Sequence, residues 1–148
     1  RCREVGHRML VEGVAPRVED VSTTTTEYEA SSGREFFLCV EDQTKDILIG
    51  YLRLRLPSTR AHRPEIRDEP TTLVRELHIY GTTVPVADRV EGAWQHRGYG
   101  KALLRRAEEI SREQGARKIL VTSALGVRQY FRKLGYERMG PYMGRRLN

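Results

Sequence analysis

The segment Gln95-His96-Arg97-Gly98-Tyr99-Gly100-Lys101 is the part of this sequence best suited to hold an anion. Glycines there let backbone N–H groups approach a phosphate without interference from a Cβ. If a helix begins at that point, its unpaired amides and positive dipole end draw the same anion. The segment therefore reads as a pyrophosphate cradle. A dinucleotide fold would need G-x-G-x-x-G and an acidic residue about 20 positions later, and a nucleotide P-loop would need Gly-Lys-Ser or Gly-Lys-Thr. Neither pattern is present. Metal chemistry is not expected, because His7, His62 and His96 show no ligand spacing with one another or with Cys2 and Cys39.

The elements around this segment must place it. Residues 98–114 carry Tyr99, Leu103, Ala107 and Ile110 at helical spacing, and Gly115 stands where a left-handed cap belongs. Before the cradle, residues 71–80 have strand character, Gly81 breaks it, and Val84-Pro85-Val86 reads as an edge or a bend. Further upstream, residues 18–28 and 36–40 read as strands joined through the turn Ser31-Ser32-Gly33. Residues 41–46 are polar enough to close a hairpin. From 47 to 56, Leu52, Leu54 and Leu56 alternate with Arg53 and Arg55, which leaves one face wet. Residues 57–70 carry three prolines and many charges and read as an exposed loop.

Downstream, Ile119, Leu120 and Val121 form an apolar strand of the kind covered on both faces. Val127, Tyr130, Phe131 and Leu134 recur at helical intervals up to Gly135, and residues 136–147 form a last extended stretch. The order describes a mixed α/β layer in one domain spanning 1–148. A sheet of this type can host a ligand where neighbouring strands diverge.

Composition narrows the function classes. With 148 residues, 39% of them hydrophobic, the chain can bury one core but not two. Two distant cysteines argue against a disulfide framework and for a reducing compartment, and no apolar run suggests a membrane span or signal peptide. A cytoplasmic protein is expected. The net charge of +6 is unevenly placed, since residues 97–148 hold 13 Lys or Arg against 4 Asp or Glu. A basic C-terminal third suits coenzyme A phosphates or RNA, or is a solvated helix face.

The pattern Gln95-x-x-Gly98-x-Gly100 resembles the signature of the GNAT acyltransferases, Q or R-x-x-G-x-G or A. Tyr130-Phe131-Arg132-Lys133-Leu134-Gly135-Tyr136 is similar to that family's second signature, an aromatic, x, Lys, x, Gly, aromatic helix ending. Further blocks resemble the elongator catalytic subunit family: Glu76-Leu77-His78-Ile79-Tyr80-Gly81, Val84-Pro85-Val86, the cradle, residues 126–136 and Gly140-Pro141-Tyr142-Met143. Residues 28–38 and 1–6 are also similar, so the likeness runs along nearly the whole chain.

The resemblance implies a GNAT acyl-CoA transferase fold, a mixed and mostly antiparallel sheet flanked by helices. It also implies a share in placing a carboxymethyl group on carbon five of the tRNA wobble uridine. Members of that family join this kind of domain to a radical S-adenosylmethionine domain with a three-cysteine iron–sulfur motif. That motif is absent here. Acetyl-CoA is thus the cofactor implied for this chain, while the cluster and S-adenosylmethionine belong to the other domain. The implied partners are tRNA and the radical domain, with no DNA and no membrane.

Also by resemblance, Glu76, Leu77 and His78 lie on the strand whose backbone pairs with the pantetheine arm, and Gln95, His96, Arg97, Gly98, Tyr99, Gly100 and Lys101 hold the phosphates. Three residues carry the catalytic expectation. Glu76 is a base that activates water or an amine, or else a solvated carboxylate. His78 orients the thioester or moves a proton, or else is packed and hydrogen-bonded. Tyr130 would sit near the cofactor sulfur and protonate the departing thiolate, although the superfamily's tyrosine position falls on Phe131, which has no proton to give. Arg53, Arg55, Arg60, Arg63, Arg128 and Arg132 are candidates for tRNA phosphates. The alternatives are a GNAT N-acetyltransferase acting on protein lysine or a small amine, and a module that only binds coenzyme A or RNA.

Overall fold

The computed structural model describes residues 2–30, 33–57, 69–80, 98–122 and 128–147. In chain order these form α1 (Val5–Leu10), β1 (Val21–Ala30), β2 (Gly33–Asp42), β3 (Ile47–Leu56) and β4 (Thr71–Ile79). They continue with α2 (Tyr99–Glu113), β5 (Lys118–Val121), α3 (Arg128–Lys133), β6 (Glu137–Met139) and β7 (Tyr142–Arg146). The strands make one seven-stranded sheet in the order β1-β2-β3-β4-β5-β7-β6. Only β4 and β5 run parallel; the other neighbours are antiparallel hairpins or returns. The parallel pair is the one joined by α2, because a parallel return needs a crossover that a tight turn cannot supply.

The core lies between one sheet face and α2. Leu103, Leu104, Ala107 and Ile110 of α2 are buried against Leu38, Leu52, Leu54, Val74 and Ile119. Their helical spacing is the apolar stripe read from the sequence, with Tyr99 partly buried at its start. Gly115 has φ +80 and ends the helix as expected. All four residues of β5 are buried, as its continuous apolar run implies.

Four details differ from the sequence reading. Residues 18–20 form a 3₁₀ turn instead of the start of a strand, following a stretch held where Asp42 Oδ2 accepts the Arg17 N–H at 3.1 Å. The stretch 136–147 is a hairpin and not one extended segment, because Gly140 at φ +60 followed by Pro141 reverses the chain between Met139 and Tyr142. Helix α1, six residues long, is too short for a readable period, yet its Val5 is fully buried. The wet face of β3 holds for Arg53 but not for Arg55, whose side chain is 15% exposed and bonded to Glu35. Val84-Pro85-Val86 and residues 58–68 of the expected loop lie outside the described residues.

The irregularity that shapes the site is in β4. Arg53 pairs with Glu76 while the next residue, Leu54, pairs with Val74, so Arg75 is an extra residue, a β-bulge. Before it the even positions Thr72 and Val74 face the core; after it the odd positions Leu77 and Ile79 do. Side chains alternate with period two, so one inserted residue exchanges the faces. Glu76 and His78 are thereby turned to the exposed side.

Candidate active site

Pairing between β4 and β5 covers only residues 71–74 and 118–121, with a last bond from the Thr122 N–H to the Val74 carbonyl at 3.2 Å. β4 continues to Ile79 along β3, and the Tyr80 N–H bonds Ile49 at 2.8 Å. The other edge of residues 75–79 therefore has no strand partner among the described residues. Unpaired backbone donors and acceptors of this kind are a template for an extended ligand.

A cavity of about 710 Å³ opens at this divergence. Its walls bring together Glu76, Leu77 and His78 of β4, Gly98, Gly100 and Lys101 at the start of α2, and Tyr130 of α3. Seven residues singled out in the sequence thus share one groove. Tyr99 is not on its wall and packs on the core instead. Gln95, His96, Arg97, Arg60 and Arg63 lie outside the described residues.

Gly98 is the N-cap of α2 at φ +75, in the left-handed region that glycine adopts without strain. Among the described residues nothing lies within 4 Å of where a Cβ at Gly98 would stand. At Gly100 the constraint is proximity, since a Cβ there would meet Tyr130 Oη at 2.9 Å and Ile79 Cγ1 at 3.6 Å. The helix tip, β4 and the tyrosine hydroxyl consequently converge on one small volume. An extended thioester bearing a diphosphate fits these walls: an open strand edge for its arm, a glycine-capped helix end for its anion.

The side chains in the groove differ in environment. Tyr130 is 41% exposed, and burial raises its hydroxyl above the ordinary tyrosine value, which keeps it protonated near neutrality. Phe131 is 4% exposed, in the core, with its ring edge-on to Tyr130 at 5.3 Å. One helical step of about 100° sends the first aromatic to the groove and the second inward. Glu76 accepts a hydrogen bond from Tyr51 Oη at 2.8 Å and has Arg53 Nη1 at 3.8 Å. That bond, and then burial, raise the Tyr51 phenol. His78 is exposed; its ring stacks on Tyr51 with centroids 6.0 Å apart and meets Tyr80 edge-on at 4.4 Å.

Tyr51 is a groove residue that the sequence reading missed. Its only trace was its place on the arginine side of β3, and the register opposite His78 is set by the sheet. Of the arginines, Arg53 and Arg132 are exposed and Arg128 is half-buried. Arg55 is held by Glu35 at 3.3 Å and the Ala30 carbonyl at 3.0 Å, so it braces β1 to β3. Among the described residues no group of His, Cys, Asp and Glu could hold a metal, and no helix is long and apolar enough to cross a membrane.

The sequence profile described as Acetyltransferase (GNAT) family matches residues 9–136. The chain is 54% identical to the tRNA uridine(34) acetyltransferase of Methanocaldococcus jannaschii over 99% of its own length and 27% of that protein. It is 48% identical to Elongator complex protein 3 of Schizosaccharomyces pombe over 98% of this chain and 26% of the relative. Among solved structures, the Methanocaldococcus infernus Elp3 with an N-terminal deletion superposes with a TM-score of 0.88 at 49% identity, covering 99% of this chain and 34% of that one. The chain thus spans about a quarter of the length of the curated relatives it matches. By its profile and by its seven-stranded mixed sheet flanked by helices, the chain belongs to the acetyltransferase (GNAT) family.

Proposed function

We propose that this chain is the acetyl-coenzyme A binding and acetyl-delivering domain of an enzyme that modifies the wobble uridine of tRNA. The observation that carries the reading is the open edge of residues 75–79 set against the glycine-capped start of α2. The pantetheine arm would add to β4 as a strand adds to a sheet edge, and the diphosphate would sit on the amides around Gly98 and Gly100, with Gln95, His96, Arg97 and Lys101 beside it. The thioester supplies an activated acetyl group. Tyr130, next to Gly100, would donate its proton to the sulfur as an incoming water or acceptor bonds the acetyl carbon and the carbon–sulfur bond breaks. Glu76, braced by Tyr51, and His78 lie on the exposed side, where a water or an acceptor would approach.

The names of the relatives support tRNA as the substrate, and the three-quarters of their length not matched by this chain leaves room for a radical S-adenosylmethionine domain. Arg53, Arg60, Arg63, Arg128 and Arg132 would then meet tRNA phosphates. Such contacts need charge more than fixed geometry and weaken steeply with salt.

Calorimetric titration of acetyl-CoA into the chain, with and without tRNA, tests this. We expect saturable binding that Gly98→Glu abolishes by putting bulk and negative charge in the cradle, and thioester hydrolysis that rises when tRNA is present. Binding unaffected by Gly98→Glu would refute the cradle. Efficient acetylation of a peptide lysine or a small amine without RNA would instead place the chain among the ordinary N-acetyltransferases.

A further inference from the structure

Beside the groove lies a second, smaller pocket of about 200 Å³, walled by Lys101, Arg105, Glu108, Lys133 and Arg145. Lys101 and Leu134 line both cavities, so the two are contiguous. The charges of the smaller one are not balanced. Its single carboxylate among the described residues, Glu108, is already engaged, accepting the Tyr136 hydroxyl at 2.6 Å and Arg145 Nη1 at 3.2 Å. Lys101, Arg105 and Lys133 make no hydrogen bond or ion pair among the described residues, and all three are exposed.

Three nearby cations do find carboxylates. Arg106, next along α2, reaches Glu109 at 3.0 Å and Glu113 at 3.6 Å, and both Lys118 and Arg146 reach Glu69. Lys101 and Arg105 are four residues apart on one face of α2, an arrangement of like charges that disfavours the helix unless an anion lies between them. Lys133 enters from the last turn of α3. Three uncompensated cations from two helices thus converge one helical turn beyond the diphosphate cradle.

We propose that this pocket takes a phosphomonoester borne one ribose away from the diphosphate, so that the chain distinguishes acetyl-CoA from its 3′-dephospho form. The inference rests on reading the groove as the coenzyme A site. A phosphomonoester is close to a dianion at neutral pH, its second ionisation lying near pH ~6, and it suits a cluster of cations better than the singly charged diesters of an RNA backbone. Lys101, at the junction of the two cavities, would serve both phosphate groups.

The test compares acetyl-CoA with acetyl-3′-dephospho-CoA by calorimetry on the whole 148-residue chain, as it stands and as Arg105→Gln, Lys133→Gln and the double variant. Partly exposed charge pairs each contribute a few-fold, so the unaltered chain should prefer acetyl-CoA by roughly tenfold at low salt. That ratio should fall towards one in the double variant, while affinity for the dephospho form stays constant and thermal melting confirms folding. Equal affinity of the unaltered chain for the two ligands would overturn the phosphate pocket and leave the groove reading intact. Failure of both to bind would overturn the groove reading and the pocket with it. If the two ligands bind equally and the same variants weaken tRNA binding instead, the pocket serves an RNA phosphate and the proposal falls.

Discussion

From 71 to 74, strand β4 is bonded to β5 on one edge, with Leu73 and Val74 also paired to β3 on the other, and Thr72 and Val74 are buried. From 76 to 79 it is bonded, among the described residues, to β3 alone, and Glu76 and His78 are exposed. One residue, Arg75, separates the two regimes. The first half anchors α2 to the sheet, with Thr72 Oγ1 and Ser111 Oγ 2.6 Å apart across the interface. The second half gives up that closure and leaves an edge where a ligand can take the place of a strand. A rigid half thus holds an open half in position, which is what a site requiring fixed geometry needs.

Inserting one alanine between Glu76 and Leu77 should break this contrast with the largest effect. The added residue would take the core-facing place of Leu77 opposite Leu52, so alternation would carry His78 onto the core face and Leu77 and Ile79 outward. Burying charged and polar groups without partners is among the few single changes that cost more than about 4 kcal/mol. We expect loss of a cooperative thermal transition. An insertion variant melting within a few degrees of the parent would show that β4 tolerates either parity.

Tyr130→Phe removes the hydroxyl that the open half presents and leaves the ring. A general acid contributes about 100-fold or more to rate, so kcat for thioester cleavage should fall by at least that factor while KM changes little. An unchanged kcat would mean that the leaving sulfur needs no proton from this residue.

Gly100→Ala probes the meeting of the two helices with β4. The added methyl would lie 2.9 Å from Tyr130 Oη, and an overpacked contact costs roughly 1–3 kcal/mol. Acetyl-CoA affinity and melting temperature should both drop, and the double variant Gly100→Ala with Tyr130→Phe should recover part of the loss in melting temperature. Additive losses would place the clash elsewhere.

The sequence made part of this legible and hid the rest, for identifiable reasons. Helix α2 was readable because a 15-residue amphipathic stripe has several periods, and it ends at a glycine of positive φ. Gly98 and Gly100 were readable because their role depends on lacking a side chain. The bulge at Arg75 was not, since an inserted residue shows only against the register of a neighbouring strand. The same holds for Tyr51 opposite His78. The two cationic helices were assigned separately, yet their meeting around Glu108 depends on the return of β7, which brings Arg145 there.

Glu35 gives the smallest effect and sharpens the comparison from the closed side. Its carboxyl is buried, with Arg75 Nη1 at 3.0 Å and Arg55 Nη1 at 3.3 Å. Hydrogen bonding from Tyr28 foremost, and then from the two arginines, holds it below the usual carboxylate range against the opposing effect of burial. Glu35 thus ties the bulge residue to β3 and β1. A depressed carboxyl contributes stability that is complete above its unfolded value, near 4.5, and is lost as pH falls through its lower folded value. Glu35→Gln should therefore be less stable than the parent by about 1–2 kcal/mol at pH 7, part of Arg75's contribution being screened by solvent. The gap should narrow steadily below pH ~4.5 as the parent's own carboxylate protonates. A gap independent of pH in urea melts would mean that the bulge is held by shape, not by this charge.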